Sequence, residues 1–351
     1  MCNIAGYIGK REAAPILIEM MRREEGFGGG YYTGMTVSDG KSLRSDKVVG
    51  DLSHLLSETE CASFRGKVGM IHSRSNSGGG AEWAHPFVSC DGRTSLVANG
   101  IGGCFATPER AAIQIDIANE LDRLGYVFGS RSRGEIKGYP TLSDGTSVHS
   151  SDIYAQRTAY YTDRGASPAE ALAMTLTDIP CEVVLLSMQR ECPDSIFTAR
   201  ISFPMVVGIA EDGDTYLATT ALAFPEDVKF KSITLLEPLK AYEIQRGEII
   251  DVGATVDIGE MTVAPIDEET VNRAMMMALE ALGEIDEPMT VDGLIEAILP
   301  AFPEGKIPQG SPLAYEVMYR LKNLDVLEIV KVRAEGPESG YFTDNLRLLL
   351  K

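Results

Sequence analysis

The sequence predicts a mixed α and β protein with two unequal cores, and three observations predict it. Its 351 residues, 44% hydrophobic and 24% charged, suffice to bury one large core or two unequal ones. The middle of the chain carries a run of short strand-like segments, CEVVLLSM, SIFTAR, MVVGIAE, TYLATTA and AYEIQRGEIIDV. Two of these flank an Asp-Gly pair at Asp212 and Gly213, a hairpin signal. After Val263-Ala264-Pro265 the pattern changes to three helical stretches followed by two strands, which reads as a separate small domain. Domain boundaries are accordingly expected at 2–262 and 266–351.

In chain order, Asn3 to Ile8 reads as a strand, and Ala13 to Arg23 as an amphipathic helix with Ile16, Leu17, Met20 and Met21 on one face. The glycine-rich GFGGGYYTG at Gly26 to Gly34 has neither GK[ST] nor GxGxxG, so it does not read as a phosphate loop. MTVSD and Lys67 to Ile71 are strand-like. Pro108 to Phe128 begins with a helix-opening proline and keeps helical spacing before a short strand. Residues 129–148, rich in Gly, Ser and charge, read as a loop or hairpin. Ser167-Pro168 opens a further helix, PAEALAMTLTDI.

In the terminal region, DEETVNRAMMMALEAL, TVDGLIEAI and PLAYEVMYRLKNLDVL are helices, followed by two strands around a Gly-Pro turn at Gly336 and Pro337. That order suggests a winged-helix-like domain. It holds 16 acidic and 8 basic side chains, a net of -8, and its third helix offers only Arg320 and Lys322. Reading DNA would need a basic recognition helix, so protein docking or an intrachain lid is the expected role. Met275, Met276, Leu279 and Leu282 cluster on its first helix, as core or as contact face.

Charge and cysteine usage exclude several functions. A formal charge of -19 gives the long-range field the wrong sign for nonspecific attraction to nucleic acid or anionic lipid. No basic n-region, leading apolar h-region or membrane-length apolar run is present, so the expected location is cytoplasmic. The six cysteines show no CxxC pairing and read as reduced thiols rather than as a disulfide framework or zinc site.

The most informative residue is Cys2, directly behind the initiator methionine. Removal of Met1 would give one residue both a thiol and a free α-amine, so nucleophile and base are placed by covalent geometry. The amine titrates near ~8 and the thiol near ~8.5, so at neutral pH a useful fraction of amine can take the thiol proton. A small buried cysteine in an amino-terminal strand is the alternative, and this segment alone leaves both open.

Further along, His72 to Gly80 reads HSRSNSGGG, followed by AHPF at Ala84 to Phe87 and VANG at Val97 to Gly100. Together with Cys2 these pieces resemble the class II glutamine amidotransferases, which are amino-terminal-nucleophile hydrolases, and most of all the glutaminase domain of glucosamine-6-phosphate synthases. The H-x-R, H-P and N-G elements and a later aspartate occur in the family's order, over roughly residues 2 to 260. The resemblance implies a four-layer αββα sandwich, an α+β fold, with the small terminal domain appended. It also implies that no metal or cofactor is needed.

Each element has a physical task in hydrolysing a glutamine side-chain amide. Arg74 can clamp an α-carboxylate with two charged hydrogen bonds, or form a surface ion pair. Asn99 offers a side-chain amide and Gly100 a backbone N–H to a tetrahedral oxyanion, although Asn-Gly is also the commonest hairpin turn. His85-Pro86 and His72 are expected to be structural, since Cys2 carries its own base. SVHSSDIYAQ resembles the family's aspartate segment, which makes Asp152 the partner of the glutamine α-ammonium, a helix N-cap, or both. Ser77 matches a substrate-binding hydroxyl position.

Two departures bear on activity: Gly28, Gly29 and Gly30 stand where the family has an arginine-containing turn, and Ser75 stands where the synthase has a gating tryptophan. The expected function is glutamine hydrolysis through a Cys2 thioester, giving glutamate and ammonia for an acceptor on a separate polypeptide. A silent glutamine-sensing protein with a docking domain is the alternative from another class. Another amino-terminal-cysteine amidase, such as a bile-salt or penicillin-V hydrolase, is disfavoured by Arg74 and Asp152.

Overall fold

Alternation along the strand Asn3–Ile8 sends Ala5 and Tyr7 to one face and Ile4 and Ile8 to the other, and all four are buried. A strand buried on both faces needs two covering layers. The computed structural model, which describes residues 2–76, 78–285, 287–335 and 342–351, supplies them.

Asn3–Ile8 lies inside a seven-stranded antiparallel sheet, between Thr215–Ala218 and Val68–Arg74. A six-stranded antiparallel sheet contains Thr94–Ile101 and Glu182–Gln189 as neighbours. Ile4, Met70, Val97, Leu186, Ile196 and Leu217 fill the space between the sheets, each worth roughly 1.5–3 kcal/mol of burial. A Cβ on Gly6 would stand 3.2 Å from Ile196 Cδ1, so glycine there eases the close approach of the two layers. Outside the first sheet, helix Ala13–Glu24 lays Leu17, Met20 and Met21 against Tyr7 and Ile71. Outside the second, helices Ser150–Thr162 and Pro168–Asp178 lay Ile153, Leu172 and Leu176 against Ala98, Leu185 and Phe197. The order is helix, sheet, sheet, helix: the αββα sandwich.

One stretch differs from the sequence reading, and one settles on the second of its two alternatives. Helix Pro108–Arg123 is followed by a turn and not by a strand, because Gly125 (φ +91°) swings the chain back so that Tyr126 N–H reaches Leu121 O at 3.0 Å. Phe128 nevertheless enters the core. The segment beyond forms a small hairpin, Ser132–Arg133 against Thr146–Ser147, braced by Arg131 on Asp122 and, at 2.9 Å, on Asp144.

The terminal region forms helices Glu268–Gly283, Val291–Ile298 and Gly310–Asn323, then an antiparallel pair of strands, Leu327–Glu335 and Phe342–Leu350. The expected turn at Gly336 and Pro337 lies outside the described residues. The four apolar residues of the first helix divide: Leu282 is in the core and Met275 packs against it, whereas Met276 is 66% and Leu279 37% exposed. Buried Arg200 donates to Phe203 O at 2.7 Å and to Gln309 Oε1, tying the sandwich to this region. Among the described residues no helix is long and apolar enough to cross a membrane.

Candidate active site

Register brings the sequence elements together. Asn3 pairs with Ser73 and Ile4 with His72, so Arg74 at the end of its strand lies beside Cys2. From the other sheet, Asn99 and Gly100 approach the same end. Cys2 and Gly100, with Arg74, His85, Tyr139, His149 and Cys181, line one cleft of about 310 Å³.

Asn99 is buried and clasps the main chain of Cys2 in both directions. Cys2 N–H donates to Asn99 Oδ1 at 3.1 Å, and Asn99 Nδ2 donates to Cys2 O at 2.7 Å. One further N–H remains on that amide nitrogen. Asn99 and Gly100 lie within strand Thr94–Ile101, paired with Val184 and Val183, so the dipeptide is not a hairpin turn. Ala98 turns its carbonyl off the sheet ladder onto His72 Nε2 at 2.9 Å. The period of two then aims the Gly100 N–H the same way, away from the neighbouring strand. A Cβ at Gly100 would lie 2.3 Å from Glu182 O, which is why the strand carries glycine here.

Arg74 is 2% exposed and is not a surface ion pair. It donates to Trp83 O at 2.7 Å, Gly78 O at 2.8 Å and Ser75 O at 3.2 Å, with its guanidinium 4.0 Å above the Tyr32 ring. Three of its five N–H groups are thus spent on holding the 75–83 loop. Asp152 is buried in the first turn of its helix and does not line the cleft: Oδ2 accepts from Ser130 N and Oγ at 2.8 Å each, and Oδ1 from Gln156 Nε2 at 3.0 Å. Burial holds its carboxyl above the usual range. The helix N-cap is His149, whose Nδ1 accepts from Ser151 N at 3.0 Å. Ser77 lies outside the described residues.

Several residues at the site carried no functional signal in the sequence. His72 and His85 stack with ring centroids 3.9 Å apart, and His149 lies 5.4 Å from His85. Both nitrogens of His85 and Nε2 of His149 have no hydrogen-bond partner among the described residues. Burial holds all three imidazoles neutral, His72 down to about 3, with Arg74 adding repulsion. Lys47 donates to Ala84 O at 2.8 Å and Pro86 O at 3.1 Å, supporting the loop that carries His85, and burial lowers it to about 8. Tyr139 comes from the inserted hairpin and packs edge-on to Trp83 at 4.7 Å. Only the order H-x-R, H-P, then a third histidine before Ser-Ser-Asp would have hinted at this cluster. Among the described residues no group of three or more His, Cys, Asp or Glu is placed to hold a metal ion.

Sandwich and cleft together define an amino-terminal-nucleophile type of fold, with a cysteine next to the chain start at the joint end of two sheets. The chain resembles the amino-terminal class II glutamine amidotransferase domain of glutamine–fructose-6-phosphate aminotransferases and related enzymes. It is 29% identical over 269 residues to that of Bacteroides thetaiotaomicron, covering 76% of this chain and 38% of the relative. With that of Mycolicibacterium smegmatis it shares 30% over 238 residues, 65% of this chain and 34% of the relative. The chain thus spans about two fifths or less of the length of these curated relatives. No family model matches. Among solved structures, the glutamine phosphoribosylpyrophosphate amidotransferase from B. subtilis, complexed with ADP and GMP, has the same fold at TM-score 0.59. It is 16% identical and aligned over 96% of this chain and 68% of its own. A second, an allosteric regulatory enzyme of purine biosynthesis, aligns over 96% of this chain and 67% of its own, at TM-score 0.56 and 15% identity.

Proposed function

We propose that this protein hydrolyses the side-chain amide of glutamine, with Cys2 as the nucleophile once Met1 has been removed. The observation that carries the reading is the Asn99 clasp on both main-chain groups of Cys2, beside a Gly100 N–H turned off its ladder into the same cleft. The freed α-amine takes the thiol proton, and Sγ attacks the amide carbon. Negative charge gathers on the amide oxygen, where the second Asn99 Nδ2–H and Gly100 N–H are aimed. Collapse breaks the C–N bond, the leaving nitrogen takes the proton from the amine, and ammonia departs. Water then attacks the thioester, gives glutamate, and returns the thiol. Arg74, with two N–H groups unspent among the described residues, is proposed to hold the α-carboxylate. Asp152 is proposed to act through Ser130, by fixing the inserted hairpin over the cleft.

The ammonia is proposed to serve an acceptor held by a separate protein, with residues 266–351 as a docking domain. The exposed Met276 and Leu279 support a protein contact there. Six unbridged cysteines support a reducing compartment, and the reading places the protein in the cytoplasm. The deciding experiment follows ammonia and glutamate from glutamine, with Cys2→Ser and asparagine as controls. Parallel release of both products by wild type alone supports the proposal. Glutamine binding without turnover by chains shown by mass to begin at Cys2 would instead favour a silent sensor.

A further inference from the structure

We propose that the terminal module positions the nucleophile, with Phe27 and Tyr315 as positioning residues that act on Cys2 through the glycine-rich segment and Asn3. The inference rests on Cys2 being the reacting group. Segment 24–30 lies between two partners. On one side, both N–H groups of the Asn3 carboxamide are spent on it, to Glu24 O at 2.9 Å and Gly28 O at 2.7 Å. Gly30 N–H donates to Ser73 Oγ at 2.8 Å, and Tyr31 N–H to Arg74 O at 3.0 Å. At Gly29 (φ +74°) a Cβ would stand 2.6 Å from Ser73 O, so the segment is seated directly on the strand that ends in Arg74.

On the other side, Phe27 is buried in an apolar cluster otherwise built almost wholly from residues 264–348. Its ring meets Tyr315 edge-on at 5.4 Å and 82°. Leu346 N–H donates to Gly26 O at 3.2 Å, and Lys331 Nζ to Arg22 O at 2.5 Å. In the stretch Gly26 to Gly30, Phe27 is the sole side chain, because its four companions are glycines. Ordering such a stretch costs about 1–2 kcal/mol per residue in backbone entropy, and more for glycine. Beside those backbone hydrogen bonds, the one side chain of the stretch that offsets this cost by burial is Phe27, and it is held by the module. Without it the carbonyls of Glu24 and Gly28 leave Asn3, whose buried amide then lacks acceptors, and Asn3 is the residue bonded to Cys2. A nucleophile displaced by about 1 Å loses on the order of 100-fold in rate.

The test compares Phe27→Ala, Tyr315→Ala and Tyr315→Phe with Ile298→Ala, which opens the module's core on the helix Val291–Ile298. Glutamine kcat and KM, Cys2 alkylation by a glutamine-like diazoketone, and thermal unfolding are read for each. The expected result is a fall in kcat and in alkylation on the order of 10- to 100-fold for Phe27→Ala and Tyr315→Ala, with KM changed less than about threefold. Tyr315→Phe, which keeps the ring, loses less than Tyr315→Ala, and Ile298→Ala stays near wild type despite its lowered unfolding temperature. Equal losses in Ile298→Ala, or kcat within about twofold in both ring deletions, would overturn the inference. A wild type that neither turns over glutamine nor is alkylated at Cys2 overturns the reading of the site, and this inference with it.

Discussion

Two thiols line the same cleft, and their surroundings are opposite. Cys181 directs its S–H onto Ile101 O at 2.9 Å, and burial pushes its thiol up to about 11, partly offset by the Tyr154 hydroxyl. It is held as a neutral thiol. Cys2 has its main chain gripped by Asn99 and, once Met1 is gone, an amine two bonds from its side chain's Cβ. A place in the cleft therefore does not make a nucleophile. Under the proposed function, what distinguishes Cys2 is a base on the same residue and the proposed oxyanion donors Asn99 and Gly100 beside it.

The largest effect expected from this contrast is in Cys2→Ser, which should lower glutamate release at least about 1000-fold, since a hydroxyl is a weaker nucleophile without a strong base. Next comes Asn99→Ala, with kcat down roughly 100- to 1000-fold and KM little changed. A loss under about threefold in steady-state kinetics would remove Asn99 from the oxyanion site. Arg74→Lys should raise KM on the order of tenfold more than it lowers kcat, because an ammonium cannot reach Trp83 O, Gly78 O and Ser75 O and still grip a carboxylate. Equal changes in both constants would point to a role in the loop alone.

Acidity offers a subtler test. The imidazoles of His72, His85 and His149 are all depressed in the folded state, His72 from 6.5 to about 3. Below the unfolded value the unfolded chain binds more protons than the folded one. Their contribution to stability is therefore complete above about 6.5 and is lost as pH falls toward 3. The unfolding temperature should drop between pH 7 and pH 5, and a flat profile over that range would contradict neutral burial. The smallest effect belongs to Cys181→Ser, expected to keep kcat/KM within about threefold, because a thiol that stays protonated takes no part in the chemistry.

The terminal module shows where sequence patterns stop being informative. Its helices and strands were legible from apolar spacing, and so was its acidity. That Phe27, some 240 positions upstream of the module's first helix, belongs to its core was not, because a lone aromatic among glycines has no periodicity to declare a partner. Deleting residues 266–351 would expose Phe27 and leave Arg200 without Gln309. The Asn-Gly pair carries a similar lesson: as a dipeptide it favours a turn, but its strand pairing with Val183 and Val184 overrides the local preference.

The alternating strands, the amphipathic helices, the place of a cysteine behind the initiator methionine and the order of the motifs could all be read along the chain. These are local or linear properties, set by side-chain period and covalent proximity. Tertiary structure decided which groups meet. It spent three N–H groups of Arg74 on carbonyls, turned Asp152 onto Ser130 and Gln156, and gathered three neutral imidazoles at the cleft. It also put the terminal module against the segment that holds Asn3. Such outcomes depend on strand register between distant segments and on the competition of each buried polar atom for a partner, and neither is written in any one stretch of chain.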